Sequence, residues 1–368
     1  MEENKRRRRI STPLLLFLIL MGITLALCLT VLGIWLHGRS VLCSKTAEPP
    51  AISTDSSVLD QHTIYHDGKY YRYKDGLVNL LFIGVDSDEK PSSPLPYGSD
   101  NQADVVLLAV LDTNSDEMTL ISVSRDTMCD IAILDESGDV SGSARAQLAL
   151  SYSYGDGLAT SAALTREAVS NLFYGLDIDG YAAFYMGGIA DLNDALGGVT
   201  LTVQSDYPFT NLPGCSNLVS GREVTLTGRQ ARAYIQARHE TTTGNEERMQ
   251  RQKQYLLAMI SQARQLISGN PTKAVSLYNA VSDYVLSDLD LSKISYLATE
   301  AAQMHFSGDI LRVSGTSVLG QPHGTDCRSG RAARADAQRV LRGVHPRERQ
   351  LKYFLIKRAG TTVFLLFA

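Results

Sequence analysis

Apolar positions along this chain fall into three regimes. From Pro13 to Leu36 nearly every residue is apolar. From Tyr65 to about Arg312 short apolar runs alternate with polar turns. Beyond Gly320 the pattern dissolves into Ala, Gly and a series of arginines, and apolar residues regroup only at Tyr353 to Ile356 and Val363 to Phe367. Within the middle regime, Leu77 to Val85 is a buried strand candidate that ends at Asp86. Val105 to Leu111 and Thr119 to Val123 predict two further strands, separated by the turn-rich segment Asp112-Thr113-Asn114-Ser115-Asp116. Shorter strands are predicted at Tyr181 to Tyr185 and Val199 to Val203. The 3.6-residue period predicts helices over 159–174, 188–196, 227–237, 246–266, 272–285 and 292–303, the first two closed by glycines. Strands followed by interleaved helices predict an α/β fold, a mixed central β-sheet sandwiched by helices.

The first regime predicts one N-terminal transmembrane helix. At ~1.5 Å per residue the run from Pro13 to Leu36 matches a hydrocarbon layer of ~30 Å. The preceding Lys5-Arg6-Arg7-Arg8-Arg9 block should remain cytoplasmic, which sends the rest of the chain outside. A cleaved signal peptide is the other reading, but its apolar region normally has ~7–15 residues and ends in a small-x-small site, and neither is present. The resulting organisation is a basic cytoplasmic segment (1–12), an anchor (13–36), an extracellular linker rich in Ser, Thr, Pro and Ala (37–64), a globular domain (65–312) and an arginine-rich tail (313–368). The tail reads either as a disordered extension or as the product of a frameshift.

Composition narrows the function. A net charge of −4 over 368 residues offers no global basic field, so nucleic acid is not an expected partner and anion binding must come from local arginines. The five cysteines are scattered and the seven histidines form no ligand-spaced group, which argues against a disulfide scaffold and a zinc enzyme. Glycine-rich nucleotide loops and the GxSxG and HExxH signatures are absent.

Two constellations remain. If Val105–Leu111 and Thr119–Val123 form a hairpin centred on Asn114-Ser115, then Asp104 and Arg125 are equidistant from its centre and face each other at one sheet edge. Asp86, at the end of the preceding strand, joins them if that strand is antiparallel. Two carboxylates together with substrate phosphates suit Mg²⁺, or Mn²⁺ in its place, and a neighbouring arginine clamps phosphate through paired hydrogen bonds. The plain structural alternative is that these acids cap strands and Arg125 pairs with Asp126 on the surface. Further along, Asn245-Glu246-Glu247 makes a good helix start, with an amide side chain able to cap and acids favoured by the helix dipole. Inside the helix that starts there, Arg248, Arg251, Gln252 and Tyr255 share one stripe, and Arg238 lies on the segment just before it. Such a stripe is either a solvated face or, if turned toward the acid edge, a phosphate-binding wall.

These residues resemble the LytR-CpsA-Psr family of bacterial cell envelopes. The matching blocks are NLLFIGVDS, QADVVLLAVLD, ISVSRDT, QLALSYSYGDG, LNDALGGVTLTV, LTGRQARAYIQARH and NEERMQRQKQYL, in the family's order across roughly residues 77 to 265. The resemblance implies a membrane-anchored, Mg²⁺-dependent phosphotransferase. Such an enzyme moves a glycopolymer phosphate from an undecaprenyl-pyrophosphate carrier to peptidoglycan on the outer face of the cell membrane, in a Gram-positive organism. It implies Asp86 and Asp104 as metal ligands, Arg125 and Arg238 as catalytic groups, Arg248, Arg251 and Gln252 as pyrophosphate binders, and an apolar groove for the lipid. Ser124, Gln147, Gln236 and Asn245 depart from the family's usual Pro, Lys, Arg and Asp. Those departures keep a second reading open, a polyprenyl-glycolipid binder or envelope regulator without turnover.

Overall fold

The computed structural model describes residues 29–42, 63–66, 69–98, 101–135, 137–204, 207–237, 244–270, 272–313, 354–358 and 361–365. Residues 29–42 form a helix, α1, that runs through the boundary at 36/37 where the sequence predicts a linker. Most of the predicted anchor, residues 13–28, lies outside the described residues, as does 1–12. Among the described residues no helix is long and apolar enough to cross a membrane. A hairpin of β1 (Thr63–His66) and β2 (Lys69–Arg72) precedes the domain.

The centre is a meander of β3 (Leu77–Val85), β4 (Ala103–Asp112) and β5 (Glu117–Val123). Its strands are rich in Leu, Val and Ile on both sides of the pleat, which suits a sheet covered on both faces. Leu81, Ile83 and Val85 point to one side, whereas Val78 and Leu80 point to the other. A second hairpin follows, β6 (Met128–Leu134) with β7 (Val140–Gln147), then a single turn α2 (Leu150–Ser153) and the helix α3 (Ala159–Leu172). The β6–β7 hairpin has no counterpart in the sequence expectations because β7 reads VSGSARAQ, mostly exposed, and is held through its backbone rather than by an apolar face.

Next come β8 (Gly180–Tyr185), α4 (Ile189–Ala195), the short pair β9 (Thr200–Thr202) and β10 (Glu223–Thr225), then α5 (Gly228–Gln236), α6 (Gly244–Gly269) and α7 (Thr272–Val281). The helix predicted over 272–285 stops at Val281. A 3₁₀ turn leads instead into β11 (Val285–Ser287), which pairs with β8. The chain continues into α8 (Leu291–Gln303) and β12 (His305–Arg312). A last hairpin, β13 (Phe354–Arg358) and β14 (Thr361–Leu365), falls in the predicted tail, of which 314–353 lies outside the described residues.

The main sheet has six strands in the order β11-β8-β3-β4-β5-β12. Its β3–β8 and β5–β12 pairs are parallel and the others antiparallel, which makes it the mixed sheet expected. One face packs under α3 and β6 through Ala162, Val169, Cys129 and Ile131. The other lies under α8 and α6 through Tyr296, Leu297, Leu257 and Ile260, with Leu42 of α1 in the same layer. Burying each large aliphatic side chain in these layers contributes about 1.5–3 kcal/mol. A third core, around Phe209, Tyr234 and Tyr255, joins α5 to α6.

Candidate active site

The β4–β5 register runs from Asp112↔Glu117 to Val106↔Val123, and its continuation sets Asp104 against Arg125. The guanidinium of Arg125 donates to a carboxylate oxygen of Asp104 and, through Nη2, to Oε1 of Gln102 at 2.6 Å. Its Nε stands 3.9 Å from Asp126, so the surface pairing with that residue exists beside the predicted one. On its other flank β4 bulges against β3. Gly84 pairs with Val105 and Val85 with Ala103, which leaves Asp104 as the extra residue that the bulge re-aims. Gly84 permits this close approach, since a Cβ there would meet Cβ of Val105 at 2.9 Å.

Asp86 reaches the same end of the sheet. Its N–H donates to the carbonyl of Gln102 at 3.1 Å, and its side chain is exposed. Ala149, just before α2, stitches both strand ends: its N–H donates to the carbonyl of Arg125 at 2.9 Å and its carbonyl accepts from Ala103 at 3.1 Å. Beneath, the hydroxyls of Tyr152 and Tyr185 sit 2.9 Å apart, and burial pushes the pKa of both upward. The Tyr185 hydroxyl donates to the carbonyl of Gly157, which leaves its oxygen to accept from Tyr152. Next to that glycine, the carbonyl of Asp156 accepts from the N–H of Leu95 at 2.8 Å, so the loop that follows Asp86 is held from below.

The second constellation meets this loop. Thr227 and Gln230 form a capping box that starts α5, whose last turns carry Arg232 and Gln236. Arg232 pairs with Asp88, and its Nε donates to Gln236 Oε1 at 3.1 Å. Gln236 in turn contacts Sδ of Met186, whose N–H donates to the carbonyl of Ser87 at 2.8 Å. Gly187 allows the approach, because a Cβ there would overlap the carbonyl of Asp88. The sequence reading points to neither Arg232 nor Asp88, although Arg232 lies one turn before Gln236.

On α6, Gln252 donates to the carbonyl of Ile235 at 3.2 Å. Arg251 is only 1% exposed. Its Nε donates to the carbonyl of Tyr234 at 2.9 Å and its Nη2 to that of Ala237. The rings of Tyr207, Phe209 and Tyr234 surround it at 5.7, 5.5 and 6.0 Å. Burial lowers its pKa. Arg248 is half-buried one turn earlier, and Tyr255 donates to Asn193 at 3.3 Å. Arg238 and His239 lie outside the described residues.

The structure thus joins Asp86, Asp104 and Arg125 at one mouth and brings the α5–α6 corner against the adjoining loop. Among the described residues no three His, Cys, Asp or Glu side chains cluster as a metal site. Two carboxylates still fit a hard cation that draws its remaining oxygens from water and phosphate. Phe82 and Val105, on the sheet face away from α3, are 40% and 38% exposed and give the mouth an apolar shoulder.

The LytR_cpsA_psr family model matches residues 45–347. A polyisoprenyl-teichoic acid–peptidoglycan teichoic acid transferase TagU of Oceanobacillus iheyensis is 29% identical over 285 residues, covering 76% of this chain and 79% of its own. TagU of Bacillus subtilis is 24% identical over 319 residues, covering 86% and 92%. The crystal structure of protein gbs0355 from Streptococcus agalactiae shares the fold with a TM-score of 0.52 at 21% identity, over 65% of this chain and 77% of that one.

Proposed function

The chain belongs to the LytR-CpsA-Psr family, and from that membership we propose that it transfers a glycopolymer phosphate from an undecaprenyl-pyrophosphate carrier to peptidoglycan during cell-wall assembly. A hydroxyl oxygen of peptidoglycan forms a bond to the glycan-bearing phosphorus, and its proton passes to the departing phosphate or to water. The bond from that phosphorus to the bridging oxygen breaks, and undecaprenyl phosphate leaves. Asp86 and Asp104 would hold Mg²⁺, which supplies neutralisation of the diphosphate charge when bound. Arg125, already held between Asp104 and Gln102, swings its donors onto a phosphate oxygen where charge develops. Arg248, at the start of α6, and Arg238 would bind the diphosphate. Arg251 and Gln252, bound to carbonyls at the end of α5, hold the α5–α6 corner in position. Phe82 and Val105 take the first isoprene units. The Pro13–Leu36 segment anchors the chain so that the domain works on the outer face of the membrane.

The observation that carries this reading is the Asp104–Arg125 pair beside Asp86 at one mouth. The test incubates full-length protein in detergent with lipid-linked glycan, Mg²⁺ and peptidoglycan. Transfer that falls steeply in Arg125→Ala supports it, and transfer unaffected by that change sinks it. Gln236, a neutral side chain occupied by Met186 and Arg232, favours the second reading of a binder without turnover. Glycolipid binding with no transfer would establish that one.

A further inference from the structure

α1 has two unlike surfaces. Trp35, Gly38 and Leu42 recur at i, i+3 and i+7 and form one stripe. Trp35 lies 5.7 Å from the ring of Tyr296, and its Nε1 donates to Oγ1 of Thr299 at 2.9 Å. Leu42 is 3% exposed within the layer beneath α8. At Gly38 the backbones touch: a Cβ there would lie 2.1 Å from the carbonyl oxygen of Ser292, so only glycine fits. The opposite stripe carries Leu29, Leu32 and Leu36, each 48% to 59% exposed, and Val31 and Ile34, on the docked stripe one turn before its contacts with α8, are exposed as well. So much exposed aliphatic surface on one helix is not stable in water. It continues the apolar run that begins at Pro13. Arg39 stacks over Trp35 at 5.8 Å, an aromatic and a cation of the kind found at a membrane boundary.

We infer that α1 is shared between bilayer and domain: Trp35, Gly38 and Leu42 fasten it to α8, while its other apolar face is covered by lipid acyl chains. The domain then stands on the membrane at a set angle instead of swinging on a tether. A fixed stance keeps the mouth at one height, which suits a substrate whose diphosphate is itself held at the membrane surface. This inference rests on the anchored reading above.

The test uses the full chain in phosphatidylglycerol vesicles. Cys28, Cys43 and Cys327 are replaced by Ser, and the buried Cys129 and Cys215 are left. Gly38→Cys and Tyr296→Cys are introduced, since a Cβ at 38 lies 3.1 Å from that of Tyr296, with a protease site inserted after Pro50. After oxidation and cleavage, α1 should stay joined to the domain on a non-reducing gel. A cross-linked dimer, or separate fragments together with an unchanged tryptophan spectrum in the second measurement, would overturn the proposal. Because Gly38→Cys could itself loosen the contact, a second measurement uses Trp35, the chain's single tryptophan. Thr299→Val should shift its emission in vesicles, and an unchanged spectrum counts against docking. Flotation after alkaline extraction separates the two claims: a chain that fails to float refutes anchoring, whatever the cross-link shows.

Discussion

Arg125 and Arg251 are the same residue type in two opposite settings. Arg125 stands on a sheet end with its side chain 31% exposed and its donors on a carboxylate and an amide that a phosphate could replace. Arg251 is buried at the α5–α6 corner, its donors on main-chain carbonyls and its face against three rings. A guanidinium whose partners are exchangeable can serve a ligand. One whose partners are backbone carbonyls serves the fold.

The change that tests this contrast hardest is in transfer. Arg125→Ala should lower the rate by roughly 10²–10³ while urea unfolding changes little, as for loss of a charge-stabilising donor. Arg251→Met should do the reverse. It orphans the carbonyls of Tyr234 and Ala237, which costs about 3 kcal/mol in urea unfolding. If Arg251→Met instead left stability intact and abolished transfer, the contrast would be broken.

A smaller effect concerns acid. Burial pushes the Asp112 carboxyl upward, but Lys74, Ser115 and the N–H of Asn114 outweigh it and hold it below the ordinary range. Its stabilisation is therefore present above the ordinary carboxylate pKa and lost as pH falls through the folded value. Stability measured from about pH 6 downward should decline, and Lys74→Ala should flatten that decline. The least of the effects is chemical: burial pushes the Cys129 thiol up to about 11. Native protein at about pH 8 should alkylate there far more slowly than unfolded protein, as peptide mass mapping would read.

How much of this was legible depended on the range of the interaction. The apolar runs Val105–Leu111 and Thr119–Val123 and the turn at Asn114-Ser115 between them specify a local hairpin, whose register alone sets Asp104 against Arg125. The bulge that frees Asp104 was not legible, because it depends on how β3 meets β4 at Gly84. Nor was the β6–β7 hairpin, whose second strand has no apolar face, or β12, where Gly308 and a register shift interrupt the alternation.

From the amino-acid order alone come the strand and helix pattern, the acid–arginine pairing across one turn, and the stripe Arg248–Arg251–Gln252–Tyr255. Which way that stripe turned was left to the packing of the whole domain. Helical periodicity puts side chains on a common face but says nothing of what that face meets, and here the end of α5 and the rings of Tyr207, Phe209 and Tyr234 drew Arg251 inward.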